Sequence, residues 1–153
     1  MNKSVKLSQL YDVMTEMLEA DGSVNFNPRG TSMLPMLHND GDRVIIVKAK
    51  NTLKKYDLPL YRRADGQFVL HRIVKKPVNG IYSMCGDNQW QIEKNINHSQ
   101  IVGVVTGFYR SNKFYSVDNI GYKTYCRLWV ALRPVRMLKY ALKKALNLIG
   151  IKR

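Results

Sequence analysis

The chain has few cysteines, and they are not spaced as metal ligands. Its 153 residues include 2 cysteines and 5 prolines. Two cysteines are too few for a disulfide framework, and Cys85 and Cys126 lack the paired spacing of a zinc site. We therefore expect two packed thiols in a reducing compartment, with no metal and no cofactor.

The sequence also lacks a long apolar run. No stretch reaches the ~18 uncharged apolar residues that a membrane-spanning helix needs, and the N-terminus has no basic segment followed by an apolar one. We therefore expect neither a spanning helix nor a cleaved signal sequence. With 45% hydrophobic and 24% charged residues, the composition predicts one folded globular body.

Acidic residues are scarce, above all near the C-terminus. The chain has 25 Lys+Arg against 11 Asp+Glu, a formal net charge of +14. Nine basic residues and no acidic one lie from Lys123 to Arg153. Such a segment favours an anionic partner, either nucleic acid or a phospholipid surface.

The spacing of apolar residues predicts a mainly β protein in three parts. Residues 1–24 form an N-terminal helix packed on the body, residues 25–118 a β domain, and residues 119–153 a basic amphipathic helical tail. In the first part Leu7, Leu10, Tyr11, Met14, Met17 and Leu18 follow a helical period over Leu7–Ala20, and Gly22 can stop the helix. The predicted strands are Arg43–Val47, Leu58–Tyr61, Gln67–Val74, Ile81–Cys85 and Ile101–Phe108.

The tail combines apolar residues at helical spacing with basic residues. Pro134 is predicted to open its helical segment, and one side of the predicted helix consists of Leu138, Ala141, Leu142, Ala145 and Ile149. Tyr122, Tyr125 and Trp129 precede it as an aromatic approach. This pattern suits an anionic membrane surface, bound through residues 123–153, better than nucleic acid. The alternative is a helix docked on the domain with a solvated basic face.

Three polar residues form a candidate catalytic set. Ser32 lies between a glycine turn and a strand, and its hydroxyl needs a neighbouring base to become a nucleophile. His71 is the one histidine within a strand pattern and is the best candidate base; His38 and His98 are predicted to be solvated or turn residues. Asp87, in Gly86-Asp87-Asn88-Gln89, could orient an imidazole. A structural strand histidine and a turn-forming aspartate are the alternatives.

The order of these motifs resembles the S24/S26 peptidase superfamily of signal peptidase I and LexA-like repressors. The resemblance rests on Gly-x-Ser-Met-x-Pro-x-Leu at residues 30–37, Gly-Asp-x-Val at residues 41–44, His-Arg-Ile-Val at residues 71–74 and Gly-Asp-Asn at residues 86–88. It covers roughly residues 26–108 and is closest to the branch with a Ser-His pair.

The resemblance implies a LexA/signal-peptidase-like coiled β fold with two small antiparallel sheets. It implies Ser32 as nucleophile, His71 as general base and Asp87 as the acidic partner, with the backbone N–H of Ser32 in the oxyanion hole. Gly30 offers no side-chain donor where some members carry serine. The family's second acidic residue is not cleanly matched, and Glu93 is a weak candidate for it.

We therefore expect a signal-peptidase-like serine endopeptidase that cleaves an extended peptide or precursor protein. Strand addition would hold the substrate. Met33, Leu34 and Met36 are candidates to line the substrate pocket, with core packing as the alternative. The rival function is a non-catalytic peptide- or membrane-binding module on the same fold. The expected location is the cytoplasm, at the periphery of a membrane.

Overall fold

The computed structural model is mainly β, as the sequence predicts. It describes residues 11–20, 22–39 and 41–148, with side chains as far as Leu142. Over these ranges the chain forms two antiparallel sheets and three helices. No helix in the described part is long and apolar enough to cross a bilayer.

The larger sheet has six strands. They are β1 (Ser23–Phe26), β2 (Arg43–Val47), β3 (Pro59–Arg62), β4 (Phe68–Leu70), β8 (Ile101–Arg110) and β9 (Lys113–Ser116). Their spatial order is β1-β2-β8-β3-β4, and β9 adds to β8. All neighbouring strands in this sheet are antiparallel.

The smaller sheet has three strands in the order β5-β6-β7. They are β5 (Arg72–Ile73), β6 (Ile81–Cys85) and β7 (Glu93–Asn97), followed by a single 3-10 turn at His98–Gln100. The register pairs Arg72 with Cys85 and Met84 with Glu93. This sheet therefore places Arg72, Cys85 and Glu93 on adjoining strands.

The prediction of one strand over Gln67–Val74 is wrong, because the chain changes sheets at His71. β4 pairs with β3 in the larger sheet, whereas β5 pairs with β6 in the smaller one. Leu70 joins one hydrophobic core and Ile73 the other. Leu70–Val74 are all buried. This segment therefore lacks the alternation of buried and exposed side chains that a strand with one solvent-facing side shows.

The other sequence predictions succeed where apolar residues are dense. Arg43–Val47 and Ile81–Cys85 are confirmed as strands, and the strands near Leu58–Tyr61 and Ile101–Phe108 are shifted or longer. β1, β7 and β9 were not predicted. β7 has the sequence Glu-Lys-Asn-Ile-Asn, whose residue types are mostly depleted in strands, so its pairing with β6 and not its propensity makes it a strand.

The N-terminal helix α1 spans Tyr11–Glu19, within the predicted segment. Met14 and Leu18 are buried in the larger core, whereas Met17 is exposed. The N–H of Gly22 donates to the carbonyl of Met17, which closes the helix end. Leu7 and Leu10 lie outside the described residues.

The predicted helical tail begins at Ile120. α2 spans Ile120–Ala131 and α3 spans Arg133–Leu148, with Pro134 as the second residue of α3. The side chain of Asn119 caps α2, because its oxygen accepts from the N–H groups of Gly121 and Tyr122. Ala145 is in α3 but its side chain is not described, and Ile149 lies outside the described residues.

Tyr82→Phe tests the smaller core. The buried Tyr82 hydroxyl accepts from the Leu53 N–H at 3.2 Å and lies 2.8 Å from His98 Nδ1. Its loss would leave the Leu53 N–H unpaired, so we expect unfolding free energy to fall by about 1–3 kcal/mol in urea denaturation. Tyr109→Phe is the control, because the Tyr109 hydroxyl forms no hydrogen bond with any residue that the structure describes. Equal losses in both variants would contradict the explanation.

Candidate functional site

His71 lies at the crossing between the two sheets and is 2% exposed. Its Nδ1 is 3.1 Å from Glu93 Oε1 on β7 and 3.3 Å from the Tyr61 hydroxyl on β3. Strands from both sheets thus hold one edge of the imidazole. The ring is fixed by contacts that the Phe68–Val74 sequence does not contain.

Glu93 is held as a carboxylate by Arg63. Arg63 Nε donates to Glu93 Oε2 at 2.7 Å, and Arg63 Nη2 donates to Oε1. Burial tends to raise the pKa of Glu93, but the hydrogen bonds of Arg63 and Tyr61 outweigh it, and the pKa of Glu93 is lowered. Because an ionised carboxylate only accepts, His71 Nδ1 carries the proton and Nε2 is left with a free lone pair.

Two opposing effects set the pKa of His71. Burial disfavours the charged imidazolium and lowers the pKa below 6.5, while the nearby Glu93 carboxylate raises it. Burial is the larger effect, so the pKa is lowered overall. The imidazole is therefore neutral at pH 7 and can accept a proton at Nε2.

Ser32 lies in the turn that follows Gly30, whose φ of +98° is a left-handed conformation that favours glycine. Asn88 holds this turn from the other side. Its backbone N–H donates to the carbonyl of Ser32 at 2.8 Å, and its side-chain nitrogen donates to the carbonyl of Thr31 at 3.2 Å. The asparagine of the Gly-Asp-Asn motif therefore positions the serine segment.

Gly86 allows the serine segment and the imidazole to approach each other. A methyl group on Gly86 would lie 2.7 Å from the carbonyl oxygen of Ser32 and 3.1 Å from His71 Nε2. Both atoms therefore border the same space above the glycine. A side chain at this position would separate the two residues.

Ser32 and His71 line one cleft of about 210 Å³. Within the described part of the chain, no hydrogen bond joins the Ser32 hydroxyl to the imidazole. Catalytic hydrogen bonds commonly tighten only when substrate binds. The structure thus brings the two residues to a common surface without forming the bond between them. The other residues lining the cleft are Pro28, Arg29, Gly30, Met33, Leu37, Arg63, Phe68, Val69, Leu70 and Gln89.

The three candidate pocket residues have different surroundings. Met33 lines the cleft and is also buried in the larger core. Leu34 is half-buried and is not among the cleft residues. Met36 is buried, and its sulfur accepts from Arg72 Nη2 at 3.0 Å, so its prediction as a pocket residue is corrected to core packing.

Among the described residues, Asp87 forms no hydrogen bond or ion pair with the imidazole, and its prediction as the acidic partner of His71 is corrected. Its carboxylate is buried and forms two hydrogen bonds with Arg72, from Nε and from Nη2, each of 2.8 Å. The direct carboxylate partner of His71 is Glu93, the weaker candidate from the sequence. Strand pairing explains why Glu93 and not Asp87 lies beside the imidazole, because β7 pairs with β6 in the sheet that begins just after His71.

Arg72 is fully buried and was not foreseen as a site residue. Besides Asp87, its guanidinium donates to the Tyr122 hydroxyl at 3.0 Å and to Cys126 Sγ at 2.9 Å, both on α2. Burial alone would lower the pKa of Arg72, but the Asp87 carboxylate outweighs it and raises that pKa. Arg72 therefore stays charged, and its contacts join the smaller sheet to α2.

α2 and α3 also form hydrogen bonds with the main chain of the loop that begins at Gly86. Trp129 Nε1 donates to the carbonyl of Asp87 at 2.9 Å, and Arg136 Nη1 donates to the same carbonyl at 2.8 Å. The Tyr125 hydroxyl donates to the Asp87 carboxylate at 3.0 Å. The aromatic residues predicted to approach a membrane instead pack against the body.

The remaining candidate groups from the sequence are the two cysteines and the other two histidines. Both cysteines are buried and free, and burial raises the pKa of each thiol. His38 lies beside Asp42, and exposed His98 beside the Tyr82 hydroxyl. Among the described residues, no group of three or more His, Cys, Asp or Glu side chains could hold a metal ion.

Arg72→Met tests the buried ion pair. Removing the guanidinium leaves the Asp87 carboxylate buried without its partner, so we expect unfolding free energy to fall by about 3–5 kcal/mol. The double variant Arg72→Met/Asp87→Asn should recover part of this loss, because no charge remains unpaired. Urea denaturation measures both, with the exposed Arg110→Met as control. A loss below about 1 kcal/mol in Arg72→Met would contradict a structural role.

The pKa of His71 tests the geometry of the imidazole. NMR titration of the ring should give a pKa below 6.5, and Glu93→Gln should lower it further because the carboxylate that favours imidazolium is gone. A lowered folded pKa means that His71 contributes stability above pH 6.5 that is lost as the pH falls through that value toward the folded pKa. An unchanged or raised pKa in Glu93→Gln would contradict the pairing.

Comparison of the chain with protein-family models, with curated proteins and with solved structures found no match.

Proposed function

We propose that the protein is a serine endopeptidase of the signal-peptidase and LexA-like type, with Ser32 as nucleophile and His71 as general base. The observation that carries the proposal is the imidazole at the sheet crossing. Its Nδ1 is held by Glu93 while its Nε2 borders the Ser32 segment across Gly86. The two antiparallel sheets and the order of the motifs support a LexA/signal-peptidase-like fold.

In the proposed reaction, the Ser32 hydroxyl attacks the carbonyl carbon of a peptide bond and His71 Nε2 accepts its proton. The tetrahedral intermediate collapses when the C–N bond breaks, and Nε2 returns the proton to the leaving amine. A water molecule, deprotonated by the same nitrogen, then attacks the acyl ester. This second step releases the carboxylic acid and restores the serine.

Glu93 takes the role that Asp87 has in the sequence prediction. A carboxylate on Nδ1 keeps the tautomer with Nε2 free, and it stabilises the imidazolium formed during each proton transfer. Arg63 keeps Glu93 ionised. Asp87 acts at a distance, because it fixes the loop whose Asn88 holds the serine turn.

The backbone N–H of Ser32 is proposed to donate to the oxyanion. Among the hydrogen bonds of the described residues, none uses this N–H. Removing one such donor commonly costs a hundredfold or more in rate. The carbonyl of Thr31 shares a peptide plane with this N–H, and it accepts from the Asn88 side chain at 3.2 Å, which helps to fix the orientation of the N–H.

An extended peptide is the substrate class that the cleft favours. β4 lies at one end of the strand order in the larger sheet, and all three of its residues line the cleft. A substrate strand can add to its open edge through main-chain hydrogen bonds, while Met33 contacts a side chain. Arg29 and Arg63 also line the cleft, but the charge of Arg63 is balanced by Glu93.

The second candidate is a peptide-binding module without proteolysis. It is favoured by one observation, the lack of a hydrogen bond between the described Ser32 hydroxyl and the imidazole. The same cleft and sheet edge would then bind an extended peptide, and Ser32 would remain unmodified.

Covalent labelling separates these two functions. A serine-directed fluorophosphonate should label the wild-type chain at Ser32, and cleavage of an extended peptide library should require the same hydroxyl. Ser32→Ala and His71→Ala should each lower the rate by roughly a thousandfold or more. Ser99→Ala and His98→Ala, which remove exposed residues of the same types, should leave it nearly unchanged.

Folding of each variant is checked by circular dichroism. If the library is bound but neither cleaved nor labelled between pH 6 and pH 9, the binding module is correct. A cleavage rate that His71→Ala leaves unaffected would remove the imidazole from the mechanism.

A further inference from the structure

Five apolar side chains form an exposed stripe along the C-terminal helices. The stripe consists of Leu128, Leu132, Val135, Leu138 and Leu142, each 50–62% exposed. Single exposed apolar residues are ordinary, but a contiguous row marks a surface that binds something apolar. We call this row the apolar stripe.

α2 and α3 continue each other closely enough to present the row on one side. The N–H of Leu132, at their junction, donates to the carbonyl of Leu128, and its own carbonyl accepts from the N–H of Arg136. The helical hydrogen-bond pattern therefore crosses the junction. Spacings of three and four residues then place the apolar stripe on a single face.

The described part of the body leaves the apolar stripe uncovered, because the helices dock through a different face. Trp129 and Arg136 bind the carbonyl of Asp87, Arg133 donates to the carbonyl of Trp90, and Tyr140 stacks on the Trp90 ring with centroids 5.0 Å apart. These residues project roughly a quarter turn or more away from the centre of the row. The helices are therefore docked on the body with exposed basic residues, as the alternative from the sequence expects, but through a face other than the apolar stripe.

The positive charge around the apolar stripe indicates what kind of surface binds it. The segment from Lys123 to Arg153 has nine basic and no acidic residues, and Arg127 and Lys139 are exposed beside the row. A second copy docked face to face would bring two such segments together, and like charges would oppose the contact. An anionic phospholipid surface accepts apolar side chains and attracts the cations at the same time.

We propose that the apolar stripe inserts into the surface of a leaflet that contains anionic phospholipid. Lys139 and Arg127 can extend their charged ends to the head groups while their stems lie along the apolar face. The helices that carry the row also hold the loop that begins at Gly86. Docking would therefore keep the cleft at a fixed position near the membrane surface.

Vesicle binding tests this proposal with the full chain. The protein should sediment with vesicles of phosphatidylcholine and phosphatidylglycerol, sediment less with phosphatidylcholine alone, and be released as salt increases. Val135→Ser/Leu138→Ser should weaken binding by roughly tenfold or more, because apolar area no longer leaves water. Val78→Ser, at an equally exposed valine before β6, is the matched control and should bind like the wild type.

The alternatives give different results. Protein that remains in the supernatant with anionic vesicles overturns the proposal, and so does an equal weakening by Val78→Ser. A dimer in sedimentation velocity that Val135→Ser/Leu138→Ser converts to monomers assigns the apolar stripe to a second copy instead. Ser32→Ala should bind vesicles normally, so failure of the proposed peptidase activity would not affect this test.

Discussion

The buried pair of Arg72 and Asp87 is the interaction on which the arrangement of the site depends. Its guanidinium lies on β5, directly after the imidazole, and its carboxylate lies in the loop that holds the serine turn. α2 closes over the pair with the Tyr122 and Tyr125 hydroxyls. A buried ion pair adds little net stability compared with an apolar pair, but removing one partner is costly, so the geometry is strongly specified.

The carboxylates of Asp87 and Glu93 have different roles because each pairs with a different arginine. Asp87 faces a fully buried guanidinium and helps to fix a loop, whereas Glu93 lies between Arg63 and the imidazole. Glu93 and burial act on His71 in opposite directions, and a shift of one pKa unit corresponds to about 1.4 kcal/mol. Burial prevails and lowers the pKa, while the Glu93 carboxylate favours the imidazolium that a general base must form.

The C-terminal helices connect the proposed chemistry to the proposed location. Their inner face supplies Trp129 and Arg136 to the carbonyl of Asp87, and their outer face carries the apolar stripe. The inner face is centred roughly a quarter turn or more from the apolar stripe, so the two faces make different contacts. The positive charge from Lys123 to Arg153 contributes mainly to the proposed binding of anionic phospholipid by the outer face.

Local apolar periodicity and short motifs suffice to predict the mainly β class, the helical ends and the candidate pair of Ser32 and His71. The excess of positive charge near the C-terminus is likewise evident from composition. The folded structure is needed to show that the chain changes sheets at His71, that Glu93 and not Asp87 forms an ion pair with the imidazole, and that Tyr61, Arg63 and Arg72 surround the site. These contacts depend on strand register and on pairings between residues distant in sequence, and no local pattern along the chain encodes either of them.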